Sequence, residues 1–313
     1  MKALFTYDYG IENMNKIKEL GYEVIIINEN DITYSEKISD VDVLVCYNPF
    51  KTLDISKMKN LKWIQLSSIG IDQLPIEYVK KSGITVTNNR GGYSIPMGEW
   101  IVMNILELYK NSRKFYLKQL QRKWKIDTGV LELYGKKVGF IGTGTIATEA
   151  AKRLQGFGVE ILGLNTTGKD VKYFNRCFSI KEIDNMLSQC DVVVVTIPHT
   201  KETHHLINKE RFKAMKDGVC FINVARGAIV DEVALIKNIE NGKLRGAALD
   251  VFEQEPLPED NPLWGFENVI ITPHNSWVSE LRNQRRFEMI YENMRRYISN
   301  ESLNNVVDLS RGY

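Results

Sequence analysis

The chain has 313 residues, 43 % of them hydrophobic and 26 % charged, with a formal net charge of +2. That length exceeds what a single hydrophobic core usually serves, so two domains are expected. The near balance of 41 basic and 39 acidic residues excludes the strongly basic profile of a nucleic-acid binder, and clusters such as Arg285–Arg286 and Arg295–Arg296 read as solvated helix faces.

Cys46, Cys177, Cys190 and Cys220 show neither CxxC spacing nor a disulfide framework. No apolar run has the length of a membrane span, and Asp8 interrupts the N-terminus before a signal-like apolar core can form. A reducing cytoplasm, with no membrane partner, is the expectation.

In chain order, Ala3–Tyr7 and Glu23–Asn28 read as strands around a helix at Asn13–Leu20. Val41–Cys46, Trp63–Leu66 and Ile84–Thr87 continue the strand series. Short apolar strands separated by helices imply a parallel sheet covered on both faces. A long amphipathic stretch, Gly98–Trp124, follows. A second series then begins with Val138–Ile141 and runs through Val159–Leu164, Val192–Val195, Val219–Val224, Ala247–Asp250 and Val269–Thr272. The helices between them include Thr145–Gly156, Ile180–Gln189 and Asp231–Asn241, and a last long helix covers Ser279–Asn300. The pattern predicts an α/β protein in which a Rossmann-type, doubly wound parallel-sheet nucleotide-binding domain (99–278) is inserted into a smaller flavodoxin-like α/β substrate domain (1–98 plus 279–313).

The stretch Val138-Gly-Phe-Ile-Gly-Thr-Gly-Thr-Ile-Ala147 is a strand, a G-x-G-x-x-A turn and a helix start. Gly142 permits the tight turn and Gly144 lets the backbone approach a pyrophosphate. Ala147 allows close helix–strand packing, and the helix N-terminus at Thr145 and Ile146 offers amide donors to the anion. With strand, helix and following strand all present, this predicts dinucleotide binding. At the end of the next strand, 23 residues after Gly142, stands Asn165 where an NAD enzyme usually carries an acid. An acid there accepts from the ribose hydroxyls and repels a 2′-phosphate. Neutral Asn165, Thr166 and Thr167, with Lys169 nearby, favour NADP over NAD.

Three later segments end strands in chemistry-bearing residues. They are Phe221-Ile-Asn-Val-Ala-Arg-Gly, Ala248-Leu-Asp-Val-Phe-Glu-Gln-Glu-Pro256 and Ile271-Thr-Pro-His-Asn-Ser-Trp277. Ligands of such sheets bind beyond the carboxyl ends of strands, so these side chains can converge. In this order the segments resemble the D-isomer-specific 2-hydroxyacid dehydrogenase family, and the resemblance covers essentially the whole chain. It implies that Arg226 clamps the substrate, with a planar fork that suits carboxylate and ketone oxygen. It implies that His274 is the general acid and base and that Glu255 orients it. It further implies a cofactor site including Thr196, Pro198, Thr203, Val224, Ala225, Asp250, His274 and Ser276, with Asp250 toward the nicotinamide carboxamide. His199 is read as a cofactor neighbour.

On the substrate side, Gln65-Leu-Ser-Ser-Ile-Gly-Ile-Asp72 resembles the family loop whose amides grip the substrate carboxylate, with Ile69 and Gly70 at the matching positions. Tyr47 and Trp277 are further substrate-pocket candidates. After Cys46 the loop reads Tyr47-Asn48-Pro49, without the arginine expected of phosphoglycerate enzymes. The resemblance therefore implies a hydride transfer between NAD(P)H and a small 2-oxo acid, giving a D-2-hydroxy acid, in a homodimer. Phosphoglycerate dehydrogenase and a cofactor-sensing, corepressor-like interaction protein are the alternatives; Glu255 stands where the formate-oxidising branch carries Gln. No metal site is expected, because His204-His205 lacks further clustered ligands.

Overall fold

A computed structural model describes residues 1–312. The chain divides into two compact units, one of residues 1–93 with the segment from Ser279 onward, the other Ser94–Val278.

The first unit contains β1 (Lys2–Phe5), α1 (Ile11–Glu19), β2 (Glu23–Ile26), β3 (Val43–Cys46), β4 (Trp63–Leu66), α2 (Ile76–Ser82) and β5 (Thr85–Thr87). All five strands run parallel in the order β2-β1-β3-β4-β5, the flavodoxin-like arrangement. Its central strands are apolar without alternation, as burial on both faces requires. Leu4, Leu44 and Ile64 face one core, while Ala3, Val43 and Trp63 face another. The C-terminal helix of the chain covers that second face with Phe287, Ile290 and Met294. A buried polar set fixes the tail: Asn293 donates to Gln65, and the Asn304 amide donates back to Asn293.

The second unit opens with α3 (Ser94–Lys110) and α4 (Ser112–Leu120). The long helix expected at Gly98–Trp124 is thus two helices, broken where Asn111 takes a left-handed conformation with φ 52°. Asn tolerates that region better than most residues. Ile101, Ile105, Leu108 and Tyr109 of α3 are already buried within the unit. Met103 of α3 is half exposed, and further exposed apolar side chains follow at Tyr116, Leu120, Trp124, Ile126 and Tyr134.

There follow β6 (Lys137–Ile141), α5 (Thr145–Leu154), β7 (Glu160–Asn165), β8 (Arg176–Ser179), α6 (Ile183–Leu187), β9 (Val192–Val195), α7 (Lys209–Ala214), β10 (Val219–Asn223), α8 (Glu232–Glu240), β11 (Leu244–Leu249) and β12 (Val269–Ile271). The seven strands are parallel in the order β12-β11-β10-β9-β6-β7-β8. The order reverses between β6 and β9, and in sheets of this kind the crevice at that switch point is where a dinucleotide lies. The remaining helix, α9 (Arg282–Ile298), returns to the first unit. Among the described residues no helix is long and apolar enough to cross a membrane.

Candidate active site

The turn from β6 into α5 is built by sterics. Gly142 has φ +100°, and a Cβ there would meet Ile197 Cγ2 at 2.8 Å and Thr196 Oγ1 at 3.0 Å, so only glycine fits. The Thr196 hydroxyl donates to the Ile141 and Gly142 carbonyls and holds the turn in place. A Cβ on Gly144 would meet nothing within 4 Å, so space lies open in front of its backbone. The first turn of α5 carries no acid, and Ala147 is fully buried. Open space, glycine backbone and an acid-free helix N-terminus fit a pyrophosphate. The Thr203 hydroxyl donates to the Pro198 carbonyl, closing the turn after β9. His199 pairs with His204 through ring nitrogens 3.2 Å apart.

At the end of β7 the structure gives Asn165 a different task from the one its position suggests. Its Oδ1 accepts from the Thr167 and Gly168 amides, and its Nδ2 donates to Thr143 Oγ1 and the Lys169 carbonyl. The side chain is spent on closing the 165–169 loop. Exposed there are Thr166, Thr167 and Lys169.

The three strands β10, β11 and β12 deliver Arg226, Glu255 and His274. His274 Nδ1 lies 2.9 Å from Glu255 Oε2, while Glu255 Oε1 accepts from the Phe252 amide at 3.1 Å. Burial raises the Glu255 pKa, yet the hydrogen bond from His274, the Phe252 amide and the nearby charges of His274 and Arg226 outweigh it. The carboxyl is held below its ordinary value. Both carboxylate oxygens are therefore engaged, and His274 Nε2 is the ring atom left for a ligand.

Gly227 explains how the Arg226 turn comes so close. A Cβ on it would lie 1.8 Å from the Phe252 carbonyl carbon and 2.3 Å from the Glu253 nitrogen. The side chain of Asn223 reinforces the turn, donating to the Arg226 carbonyl and accepting from the Ala225 amide. Val224 and Ala225 are buried beside this turn.

Asp250 is fully buried. Its carboxylate accepts from Thr272 Oγ1, the Asn275 amide and the Ser276 amide, and its carbonyl accepts from the His274 amide. One residue thus organises the whole 272–276 loop and holds His274 at φ +50°, a conformation uncommon for a residue with a Cβ. Trp277 Nε1 donates to the His274 carbonyl at 2.8 Å, and among the described residues the Ser276 hydroxyl is buried without a partner.

Ile69, Gly70 and Tyr47 lie in the other unit, at the carboxyl edge of its sheet. Asn88 donates to the Ile69 carbonyl and Ser68 to the Gly70 carbonyl, while among the described residues neither amide of 69 or 70 has a partner. Tyr47 is 57 % exposed. Glu29, which sequence reasoning passed over, accepts from Thr6 Oγ1 and from the Tyr47 and Asn48 amides. It reads in sequence as one of many surface acids. Among the described residues no cluster of His, Cys, Asp or Glu could hold a metal ion.

A Rossmann sheet with a glycine turn at its switch point and an Arg, Glu and His at its far strands defines a nucleotide-dependent oxidoreductase. Comparison with known proteins narrows this. The family model "D-isomer specific 2-hydroxyacid dehydrogenase, NAD binding domain" matches residues 102–276. Over 267 residues the chain is 38 % identical to the glyoxylate reductase of Thermofilum pendens, covering 82 % of this chain and 78 % of that one. It is 34 % identical to the D-3-phosphoglycerate dehydrogenase of Methanocaldococcus jannaschii, over 99 % of this chain and 60 % of that longer one. The D-isomer specific 2-hydroxyacid dehydrogenase of Xanthobacter autotrophicus, solved with NADPH and MES, matches at a TM-score of 0.83 and 28 % identity, over 100 % of this chain and 99 % of that one. The chain belongs to the D-isomer-specific 2-hydroxyacid dehydrogenase family and is an NAD(P)-dependent enzyme.

Proposed function

We propose that this enzyme reduces a small, unphosphorylated 2-oxo acid to the D-2-hydroxy acid, with NADPH preferred over NADH. The observation that carries the reading is the His274 Nδ1–Glu255 Oε2 pair at 2.9 Å. An ionised Glu255 keeps the imidazole oriented, so that Nε2 presents the proton. A nicotinamide bound there would supply the hydride that reaches C2 of the substrate. As it arrives, His274 Nε2 delivers a proton to the ketone oxygen, and Arg226 stabilises the charge developing there. In the reverse direction the same nitrogen takes the hydroxyl proton. The Ile69 and Gly70 amides receive the substrate carboxylate.

The absence of a phosphate on the substrate is supported by Glu29. Its carboxylate holds the Tyr47 and Asn48 amides, so that loop offers negative charge instead of donors. The NADPH preference is supported by the exposed Thr166, Thr167 and Lys169 and by the absence of an acid at Asn165. A homodimer is supported by the exposed apolar side chains from Tyr116 to Tyr134, too many for an isolated surface.

The test is oxidation of NADPH and NADH against glyoxylate, hydroxypyruvate, pyruvate and 3-phosphohydroxypyruvate, with light scattering on the same sample. Turnover of the unphosphorylated acids with NADPH preferred is expected. Asn165→Asp should then move the preference toward NADH by about tenfold or more, since it places a charge beside the 2′-phosphate. Cofactor binding without turnover on any 2-oxo acid would point instead to a sensor, and a monomer in solution would remove the dimer.

A further inference from the structure

Among the arginines of α9, Arg286 is the one held by tyrosines. Arg295 pairs with Glu292 and Glu301, and Arg296 with Glu292. No carboxylate among the described residues pairs with Arg286. Its half-buried guanidinium lies 5.8 Å from the Tyr7 ring centroid and 5.7 Å from that of Tyr93. Its Nε donates to the Tyr93 hydroxyl at 2.9 Å, and the Tyr9 hydroxyl is its other partner. Phenol hydroxyls and ring faces solvate a cation but bring no opposite charge, and burying a charge without one is costly. The guanidinium also has more N–H donors than two hydroxyls can use.

Its place in the fold gives this meaning. Tyr7 and Tyr9 follow β1, Tyr93 lies beyond β5, and Ser67 immediately follows β4. Arg286 therefore sits at the carboxyl edge of the five-stranded sheet, where ligands of such sheets bind. The Tyr93 hydroxyl that accepts from Arg286 donates to the Ser67 carbonyl at 2.6 Å. The cation is thus two hydrogen bonds from the loop that carries the Ile69 and Gly70 amides. The Tyr7 ring, 46 % exposed, is fixed beside it by Asn283, whose Nδ2 donates to the Tyr7 hydroxyl at 3.0 Å.

We propose that Arg286 anchors a second anion subsite, one that takes the distal carboxylate of a 2-oxo diacid while the Ile69 and Gly70 amides hold its other end. This rests on the reading of the chain as a 2-oxo acid reductase and names the class of its substrate. A carboxylate suits the subsite better than a phosphate. The guanidinium can pair bidentately with either group, but the Glu29 carboxylate on the same sheet edge repels a dianion more strongly than a monoanion.

The experiment compares the wild type with Arg286→Met and Arg286→Lys. Each is assayed with NADPH on glyoxylate, 2-oxoglutarate and 3-phosphohydroxypyruvate, and its affinity for 2-oxoglutarate is measured by calorimetry. The ratio of kcat/KM for 2-oxoglutarate to that for glyoxylate should fall on the order of ten- to a hundredfold in Arg286→Met, the range charge-assisted hydrogen bonds give. Arg286→Lys, which keeps the charge and loses the fork, should fall between. An unchanged ratio, or 3-phosphohydroxypyruvate used far better than 2-oxoglutarate, overturns the subsite and leaves the reductase reading standing. Wild-type silence on every acid overturns the reductase reading, and calorimetry then decides the subsite alone: a weakened 2-oxoglutarate affinity in Arg286→Met upholds it, and an unaltered or absent affinity removes it. If Arg286→Met does not fold by circular dichroism, the same ratio and affinity in Arg286→Lys settle the matter.

Discussion

The carboxyl edges of the two sheets offer a ligand different things. The seven-stranded edge presents side chains already joined to one another, His274 to Glu255 and the whole 272–276 loop to Asp250. The five-stranded edge presents mainly backbone, the Ile69 and Gly70 amides, with Glu29 and Arg286 as fixed charges around them. On the proposed reading, one edge moves the proton and the other grips the substrate. If that reading holds, chemistry and selectivity rest on separate pieces of this chain and can be perturbed separately.

The largest effect should come from the chemical edge itself. His274→Ala is expected to lower kcat by roughly a hundred- to ten-thousandfold, the range for loss of a general acid. A stopped-flow measurement of NADPH oxidation that returns near-wild-type turnover would break the assignment. Gly227→Ala comes next. Its added methyl collides with the Phe252–Glu253 backbone, which overpacking data put at about 1–3 kcal/mol or more. Both the denaturant midpoint and kcat should drop together, because the same clash pushes the Arg226 turn from the loop that bears Glu255.

Glu255→Gln should act more gently, leaving a neutral hydrogen-bond partner for His274 and a reduced kcat. Its effect on stability has a sign. The Glu255 pKa is depressed, so its contribution is complete above the ordinary carboxylate pKa and is lost as pH falls through the lowered one. The difference in Tm between wild type and variant should therefore shrink on acidification. The smallest effect belongs to Glu292, farther along α9. Hydrogen bonds from Arg295, opposed by slight burial and reinforced by Arg296, hold Glu292 down to about 2. Glu292→Gln should cost a small, salt-sensitive amount of stability near neutrality, as exposed pairs do. The cost should fade as pH drops from about 4.5 toward about 2. A difference that grew on acidification would reverse the sign of the argument.

Much of the chemical edge was legible in the sequence because its signals are local. The valine run of β9, the G-x-G-x-x-A turn and the three strand-ending segments each announce themselves within a dozen residues. The strand β8, Arg176-Cys-Phe-Ser179, was not legible, since four residues without a clear apolar pattern give no periodicity to read. The break at Asn111 escaped for a related reason: apolar spacing continues through it, and only the backbone conformation of one residue divides the helix. At Asn165 the residue type was visible but not the direction of its amide, which is decided by a tight loop of its own neighbours. Arg286 lay beyond reach altogether. Its meaning depends on a tyrosine 193 positions away in sequence and on there being no carboxylate partner for it among the described residues.

Asp250 carries a lesson for anyone reading a mutational scan of this enzyme. A buried carboxylate that accepts three hydrogen bonds has no conservative replacement, for an amide has one acceptor oxygen and would turn an NH2 group toward a donor. Position 250 will therefore score as intolerant and its variants as dead, with the same signature as a residue that takes part in the reaction. The distinction lies in what is lost along with activity. Variants at 250 should also loosen the 272–276 loop toward proteolysis and hydrogen exchange, whereas variants at His274, whose ring projects from an intact loop, should leave that protection in place.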